Sequence, residues 1–310
     1  MQGHLFPRLA LATALLTVGL IVFGAVVRVT DSGLGCGNHW PLCNGTVVPP
    51  LDNLTAWIEW LHRLFAVLIG LLGIATLVVA IRAYRKRNPG VLTFTVIAAV
   101  LFVVQSGLGA MVVLFDLPPT MVTLHLGTAM LLLGALLVAA IYASYQPKQA
   151  VQRDNFTSLA YITTALALVI ILTGALVRGS GATLACVDWP LCNGAVFPFD
   201  QGQLQIIHMT HRVAVLALGI SLALLVWMAQ RTRQDGRVKT LTILALVMYL
   251  AQAGVGALYV FTAADPLWGA AHVGFAAATW ALLVAVSAFE TLSNRVGSEA
   301  EWRGSSPVKP

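Results

Sequence analysis

The chain has 310 residues, of which 58% are hydrophobic and only 10% are charged. A water-soluble domain of this length does not need so many apolar residues for its core, so the composition indicates a membrane protein. The formal net charge is +6, but the basic residues fall in short clusters between long apolar runs, which argues against a nucleic-acid partner. A polar tail without fixed structure is expected from about residue 294 onward.

Eight apolar stretches of 18 or more residues without a charged side chain follow one another along the chain. About 20 helical residues at roughly 1.5 Å each span a hydrocarbon core of about 30 Å, so each stretch predicts a transmembrane helix and the fold class is all-α integral membrane. The predicted spans are Leu9–Val27, Leu64–Ile81, Val91–Phe115, Leu117–Tyr145, Asn155–Val177, Val213–Gln230, Thr240–Ala264 and Pro266–Phe289. The second and sixth helices are expected to begin earlier, near Ala56 and Leu204.

The distribution of Lys and Arg predicts how the chain is oriented. Of the 18 basic residues, 14 lie at the chain ends or in the loops that share one side of the membrane with them. Cytoplasmic loops are enriched in Lys and Arg, so we expect both termini in the cytoplasm. The two long loops, roughly 28–56 and 178–204, are then external.

The two halves of the chain share motifs at a shift of 147 to 150 residues. The pairs are Gly33-Leu-Gly-Cys36 with Leu184-Ala-Cys186, Trp40-Pro-Leu-Cys43-Asn-Gly with Trp189-Pro-Leu-Cys192-Asn-Gly, His62-Arg63 with His211-Arg212, Gln105-Ser-Gly-Leu-Gly-Ala with Gln252-Ala-Gly-Val-Gly-Ala, and His125 with His272. Because each half has an even number of helices, the repeat predicts two four-helix bundles, residues 1–150 and 151–310, related by an axis along the membrane normal. The first span matches the internal fifth, which argues against a cleaved signal peptide.

Four histidines lie near the external starts of the even-numbered spans. They are His62, His125, His211 and His272. All lie at a similar depth, about 8–10 Å from the helix start, where a charged group costs about 2.5–3.5 kcal/mol. Two facing imidazoles can bind a haem iron, with the macrocycle filling the gap between helices. The alternatives are a hydrogen bond between helices, which explains one lone histidine better than four in repeated pairs, and zinc, which needs three or four close ligands.

Glu59 lies three residues before His62 and therefore on the same helix face. The second half has His208 at the matching position before His211, so the two halves differ here. The carboxylate can act as an acid/base group or stabilise developing positive charge. It can instead be a helix-start carboxylate favoured by the helix dipole. The remaining histidines, His4 and His39, lie in polar segments and are expected to be solvated.

The four cysteines occur as the pairs Cys36 with Cys43 and Cys186 with Cys192, both in the long external loops. An oxidising compartment favours one disulfide within each loop. A zinc site made of four thiolates is the less favoured alternative, because the spacing within each pair is wider than usual for zinc ligands.

Four arginines are expected at the external helix ends, close to the histidines. They are Arg28, Arg63, Arg178 and Arg212. A guanidinium at this position can pair with a haem propionate. It can also extend its side chain toward the membrane surface, as interfacial arginines do.

Taken together, these features resemble the haem A synthase family over about residues 8–290. The resemblance is carried by the eight spans in two related halves, Gly33-Leu-Gly-Cys36 with Trp40-Pro-Leu-Cys43, Glu59-Trp-Leu-His62-Arg63, His125, His211-Arg212 and His272. It implies a prokaryotic plasma-membrane oxidoreductase that converts the C8 methyl group of haem O into the formyl group of haem A. Haem O is then the substrate, and haem O synthase and a membrane electron acceptor are expected partners beside membrane lipid.

The resemblance also implies a role for each candidate residue. His62 and His125 would flank haem O with Glu59 as the catalytic carboxylate, while His211 and His272 would ligate a permanent haem b as cofactor. His208 also lies near this second site, but the spacing favours His211 as the iron ligand, because His211 aligns with His62 and keeps the following arginine.

A different function is compatible with the same residues. A di-haem b-type cytochrome that relays electrons between quinol and a partner is the alternative, although two equivalent sites would suit a relay better than halves that differ at Glu59 and His208. A transporter would need discontinuous helices with polar midplane sites, which the sequence does not show. In the catalytic interpretation, two successive hydroxylations of one methyl group give a hydrated aldehyde that loses water, and a second haem offers an exit for the electrons.

Overall fold

The computed structural model describes residues 5–147 and 151–304, and this part of the chain is built from eight long helices. They are α1 Leu5–Val29, α2 Leu54–Tyr84, α3 Pro89–Leu114, α4 Pro119–Ser144, α5 Asn155–Gly179, α6 Gln203–Thr232, α7 Gly236–Phe261 and α8 Pro266–Gly304. All eight are long and apolar enough to cross a membrane. The prediction of an all-α fold with eight spans is confirmed, and the chain is a multi-pass membrane protein.

Side-chain caps fix where several helices begin. Asn53 accepts a hydrogen bond from the backbone N–H of Ala56, and Asp154 accepts one from Thr157. Such caps satisfy N–H groups that have no partner within the helix. As a result α2 begins at Leu54, two residues before the predicted start. Helix α6 begins at Gln203, one residue early, after Gly202 and without a side-chain cap.

The eighth helix extends beyond its predicted end. The composition of residues 294–310 predicts a tail without fixed structure, but α8 remains helical to Gly304. Extending an existing helix avoids the unfavourable nucleation step, so α8 continues into polar residues that were expected to form no helix. Residues 305–310, and also His4 and Lys148, lie outside the described residues.

Contacts between helices follow the same pattern in the two halves. In the first half α1 and α3 each pack against α2 and α4, and in the second half α5 and α7 each pack against α6 and α8. Between the halves, α4 packs against α8, α1 against α8 and α5 against α4. Exchanging the two halves leaves this pattern unchanged, which is compatible with a parallel duplication.

The centre of the molecule lies between α4 and α8. The indole N–H of Trp280 on α8 donates a hydrogen bond to the carbonyl of Met130 on α4 at 3.0 Å, and both side chains are buried. On the outer faces of the helices, large apolar side chains such as Leu15, Val103 and Leu216 are more than half exposed. Extended exposed apolar surface of this kind is expected where helices meet lipid.

An ionic cluster closes the second half at the end opposite the disulfide loops. Arg233 is 5% exposed and lies 2.7 Å from carboxylate oxygens of both Asp154 and Glu290. Its guanidinium also lies over the ring of Phe156, 4.3 Å from the centroid. Hydrogen bonds from Arg233 hold the pKa of Asp154 well below its ordinary value. The Arg233 cluster therefore ties the start of α5, the end of α6 and α8 together.

Candidate functional site

The four histidines lie at matching depths on the even-numbered helices. His62 and His211 are eight residues beyond the first residue of α2 and α6, and His125 and His272 are six residues beyond the first residue of α4 and α8. Within each half the two imidazoles are close enough to interact electrostatically. The structure therefore brings His62 together with His125, and His211 together with His272.

Each imidazole lies against a glycine on the preceding helix. The four pairs are His62 with Gly24, His125 with Gly109, His211 with Gly174 and His272 with Gly256. A Cβ atom added to any of these glycines would lie 3.0 to 3.1 Å from the imidazole Cε1. A larger residue would therefore displace the ring, and glycine is what allows the ring to lie against the neighbouring backbone.

Sequence reasoning did not assign these glycines to the site, although the signal was present. Gly109 and Gly256 belong to the repeated Gln-x-Gly-x-Gly motif, and Gly24 and Gly174 are separated by the same shift of 150 residues as the cysteine motifs.

In the second half, hydrogen bonds define which ring nitrogen carries the proton. The Thr173 hydroxyl donates to the carbonyl of Ile170 at 2.9 Å and lies 3.2 Å from His211 Nδ1, so it accepts from that nitrogen. His272 Nδ1 lies 3.1 Å from the carbonyl oxygen of Gln252, which can only accept. Both rings therefore carry the proton on Nδ1 and keep the Nε2 lone pair for a metal.

In the first half the corresponding nitrogens lack a hydrogen bond of normal geometry, although the backbone of Gln105 lies near the His125 ring. Nδ1 of His62 and Nδ1 of His125 are buried without a hydrogen bond. The side-chain amide of Gln105 instead donates to His125 Nε2 at 3.1 Å. Phe23, which corresponds to Thr173, packs edge-on against His62 with ring centroids 5.9 Å apart. The halves therefore share the histidines but differ in what holds them.

These donors fit a haem better than zinc. Two imidazoles from the even-numbered helices of one half are the ligand set of a bis-histidine haem. In the second half the hydrogen bonds at Nδ1 leave both Nε2 lone pairs available for the iron. Among the described residues, no group of three or more His, Cys, Asp or Glu side chains is arranged to hold a metal ion such as zinc.

The two long loops are closed by the two expected disulfides. Cys36 is bonded to Cys43 and Cys186 to Cys192, so the prediction of one disulfide within each loop is confirmed. The first loop lies directly on the start of α2, because a Cβ atom on Gly35 would be 2.4 Å from the backbone of Thr55. Only glycine permits this close approach.

Glu59 and His208 hold equivalent positions beneath these loops. Glu59 is 3% exposed; its Oε2 accepts the backbone N–H of Cys36 at 2.9 Å and its Oε1 binds Arg63. His208 is also buried, and its Nδ1 accepts the backbone N–H of Cys186 at 3.4 Å. His208 is therefore directed toward the loop, and it is His211 that interacts with His272.

The four arginines separate into two pairs. Arg63 donates to the carbonyls of His39 and Leu42 at 3.0 and 3.2 Å, and Arg212 likewise donates to carbonyls of the second loop. These two side chains hold the disulfide loops in place, and His39 is exposed as predicted.

Arg28 and Arg178 instead meet between the two halves. Arg178 lies 3.4 Å from Asp31 of the first half, and its Nε is buried without a hydrogen-bond partner. Arg28 interacts electrostatically with both of these residues. The pair therefore presents positive charge at the junction between the halves, at the same end of the molecule as the disulfide loops.

Comparison with known proteins agrees with the architecture and the motifs. Relatives named heme A synthase include proteins from Halalkalibacterium halodurans, 33% identical over 80% of this chain and 85% of the relative, and from Symbiobacterium thermophilum, 32% identical over 88% and 92%. A third, from an Exiguobacterium species, is 31% identical over 81% of this chain and 82% of its own. The model of the cytochrome oxidase assembly protein family, COX15-CtaA, matches residues 7–284. With both halves and both histidine pairs inside this match, the chain belongs to the COX15-CtaA family.

Proposed function

We propose that this protein makes haem A by oxidising the C8 methyl group of haem O to a formyl group. The observation that carries the proposal is the pair of buried histidines at matching depth in each half, which has a different set of hydrogen bonds in each half. Relatives named heme A synthase that align over most of the chain support the same activity. In this proposal residues 1–150 bind the substrate and residues 151–310 bind a resident haem b.

In the first half, His62 and His125 hold the iron of haem O. Their Nδ1 atoms have no hydrogen-bond partner and the Gln105 amide competes for His125 Nε2, so both ligands can release the macrocycle. Such exchange is what a substrate site needs, since haem O must enter and haem A must leave.

Glu59 supplies the carboxylate of the substrate half. It is buried one helical turn before His62, where it can accept a proton as the methyl group is oxidised or stabilise positive charge at the reacting carbon. The ion pair with Arg63 and the N–H of Cys36 hold the carboxylate in a fixed orientation.

In the second half, His211 and His272 would hold haem b, which would supply a redox centre for the electrons removed from the methyl group. Both rings are held through Nδ1, which leaves the Nε2 lone pairs available to bind the iron. The positive charge of Arg28 and Arg178 lies between the halves, where it suits the propionates of either macrocycle better than Arg63 and Arg212, which bind loop carbonyls.

The proposed orientation places both termini in the cytoplasm and the disulfide loops outside. It follows from the excess of Lys and Arg on the side of the chain ends and agrees with the two disulfides, which form in oxidising compartments.

The test is expression of the full chain in a bacterial host that makes haem O but lacks its own haem A synthase. We expect haem A in the extracted haems, identified by chromatography and by its pyridine haemochrome spectrum. Purified protein that carries two b-type haems, in a host that accumulates haem O and forms no haem A, would contradict the proposal and favour the electron-relay alternative.

A further inference from the structure

The two halves use equivalent positions of α1 and α5 in different ways. Residue 173 on α5 is a threonine whose hydroxyl contacts His211, and the corresponding residue 23 on α1 is a phenylalanine that packs on His62. The glycines that follow, Gly24 and Gly174, contact the two imidazoles in the same way. Phenylalanine in one half and threonine in the other therefore make a local difference in how the neighbouring imidazole is held.

We infer that Thr173 is a positioning residue for His211 and that its hydroxyl is what makes the second half retain haem while the first half releases it. This inference rests on the proposed function, because it assumes that His211 is a haem ligand. The Thr173 hydroxyl would then be a physical cause of the difference between the cofactor half and the substrate half.

The directions of two hydrogen bonds define how Thr173 acts on His211. The Thr173 hydroxyl has one proton, which it donates to the Ile170 carbonyl at 2.9 Å. Its lone pairs remain, and the contact with His211 Nδ1 at 3.2 Å is one in which the imidazole donates. Thr173 therefore fixes both the tautomer and the rotation of the His211 ring.

A fixed tautomer has two consequences for a metal ligand. The Nε2 lone pair is always available, so no free energy is spent on moving the proton when iron binds. The acceptor at Nδ1 also raises the basicity of the ring and strengthens its donation to iron; loss of such a partner typically weakens metal binding by about 10–100-fold.

The hydrogen bond of His272, the other candidate ligand in the second half, cannot be removed by a side-chain substitution. His272 Nδ1 is bonded to the backbone carbonyl of Gln252, which a side-chain substitution leaves in place. Thr173 is thus the hydrogen-bond partner in the second half that a single substitution can remove without changing a ligand.

If Thr173 only stabilised its own helix, replacing it would change the His211 ring little. Threonine in a helix often bonds to a carbonyl of the preceding turn, as Thr173 does, and such a residue can be replaced with little effect on a neighbouring ring. Thr164, on the same helix, has its hydroxyl bonded to Ala160 and close to Ser287 of α8. Thr164→Val is therefore the matched control for losing one hydroxyl from α5.

The experiment compares purified full-length wild type, Thr173→Val, Thr173→Ser and Thr164→Val. Two quantities are measured: the rate at which the bis-histidine haem is lost to excess apomyoglobin, and the midpoint potential of that haem. Thr173→Val should lose haem about 10–100-fold faster. Its midpoint potential should be more positive, because a weaker donor stabilises ferric iron less. Thr173→Ser, which keeps the hydroxyl, and Thr164→Val should both stay close to wild type.

The outcomes separate the inference from the proposed function. Wild-type protein without a bis-histidine haem would overturn the proposed function and this inference with it. Two results would overturn this inference alone, provided that the wild type carries haem. One is a Thr173→Val variant with the wild-type rate of haem loss and the wild-type midpoint potential. The other is an equal effect of Thr173→Val and Thr164→Val. If Thr173→Val does not assemble, Thr173→Ala removes the same hydroxyl with less steric demand, and the same two measurements decide.

Discussion

The carboxylate of Glu59 accepts the backbone N–H of Cys36 at 2.9 Å, so the candidate catalytic side chain and the first disulfide loop form one structural unit. A substitution at Glu59 can therefore act on the reaction, on the loop, or on both. The second half shows how the two effects can be separated, because His208 binds the Cys186 N–H there without a carboxylate.

Glu59→Gln should reduce the conversion of haem O to haem A by at least about tenfold, the scale for losing one acid/base or electrostatic contributor. The glutamine keeps an oxygen that can accept the N–H of Cys36 but loses the charge and basicity of the carboxylate. Haem O should accumulate, as measured by chromatography of extracted haems from a host without its own enzyme.

Glu59→His serves as the structural comparison, since it copies the residue found at the same position of the second half. Both variants should retain the Cys36–Cys43 disulfide in non-reducing peptide maps. Wild-type haem A production by either variant would show that Glu59 serves the loop alone.

Replacing His211 or His272 with Ala should abolish the low-spin spectrum of the resident haem in purified protein. Each substitution removes one of two axial ligands, and the remaining imidazole cannot hold the iron in the same state. His62→Ala and His125→Ala should leave that spectrum in place but stop haem A formation. The assignment of the halves would be reversed if the first pair of variants kept the spectrum and the second pair lost it.

Gly256→Ala should weaken haem binding without altering a ligand. The added Cβ would lie 3.0 Å from His272 Cε1, so the ring must move away from its position. We expect haem loss to be about tenfold faster, on the scale of other changes to groups that orient a ligand. Gly254→Ala on the same helix is the control, because no heavy atom lies within 4 Å of its added Cβ. Equal rates of haem loss in the two variants would mean that the glycine contact does not position the ring.

Arg233→Met should destabilise the folded protein by about 3–5 kcal/mol, because it leaves the buried carboxylate of Glu290 without its partner. The measurement is thermal unfolding in detergent. Arg231→Met, two residues earlier and exposed, is the control and should change stability little. The role of the cluster would be refuted by similar unfolding curves for the two variants.

The same cluster predicts a dependence of stability on pH. The pKa of Asp154 is lowered in the folded state by hydrogen bonds from Arg233, so the unfolded state binds the proton more readily. The stabilisation by Asp154 is therefore complete above its ordinary pKa of 3.8 and is lost as the pH falls below that value. Asp154→Asn should flatten the loss of thermal stability in this acidic range. A wild-type profile in the variant would assign the acid sensitivity to other groups.

Much of the architecture could be predicted because the signals are strong and local. Spans are set by length and hydropathy, and the repeat identified the histidine pairs and the cysteine pairs. The contribution of Thr173 could not be predicted, because a threonine in an apolar helix has no distinctive pattern. Its contact with His211 depends on how α5 is rotated against α6.

Other features could not be predicted because they depend on how closely atoms approach in the folded chain or on the element that precedes them. The glycines contacting the imidazoles were visible in the repeat, but their purpose depends on how closely two helices approach. Arg233 was counted with the loop charges, although it is buried with Asp154 and Glu290. The helical continuation of α8 to Gly304 could not be read from composition, since it depends on the helix that precedes it.

The burial of Arg233 gives one residue two functions at different times. In the orientation proposed above, its charge in the newly made chain would be one of those that keep the loop after α6 in the cytoplasm during insertion. Once α5 and α8 have packed beside it, the guanidinium is paired with two carboxylates, which offset its positive charge. The mature protein should therefore attract anionic lipid less at this loop than its sequence alone indicates.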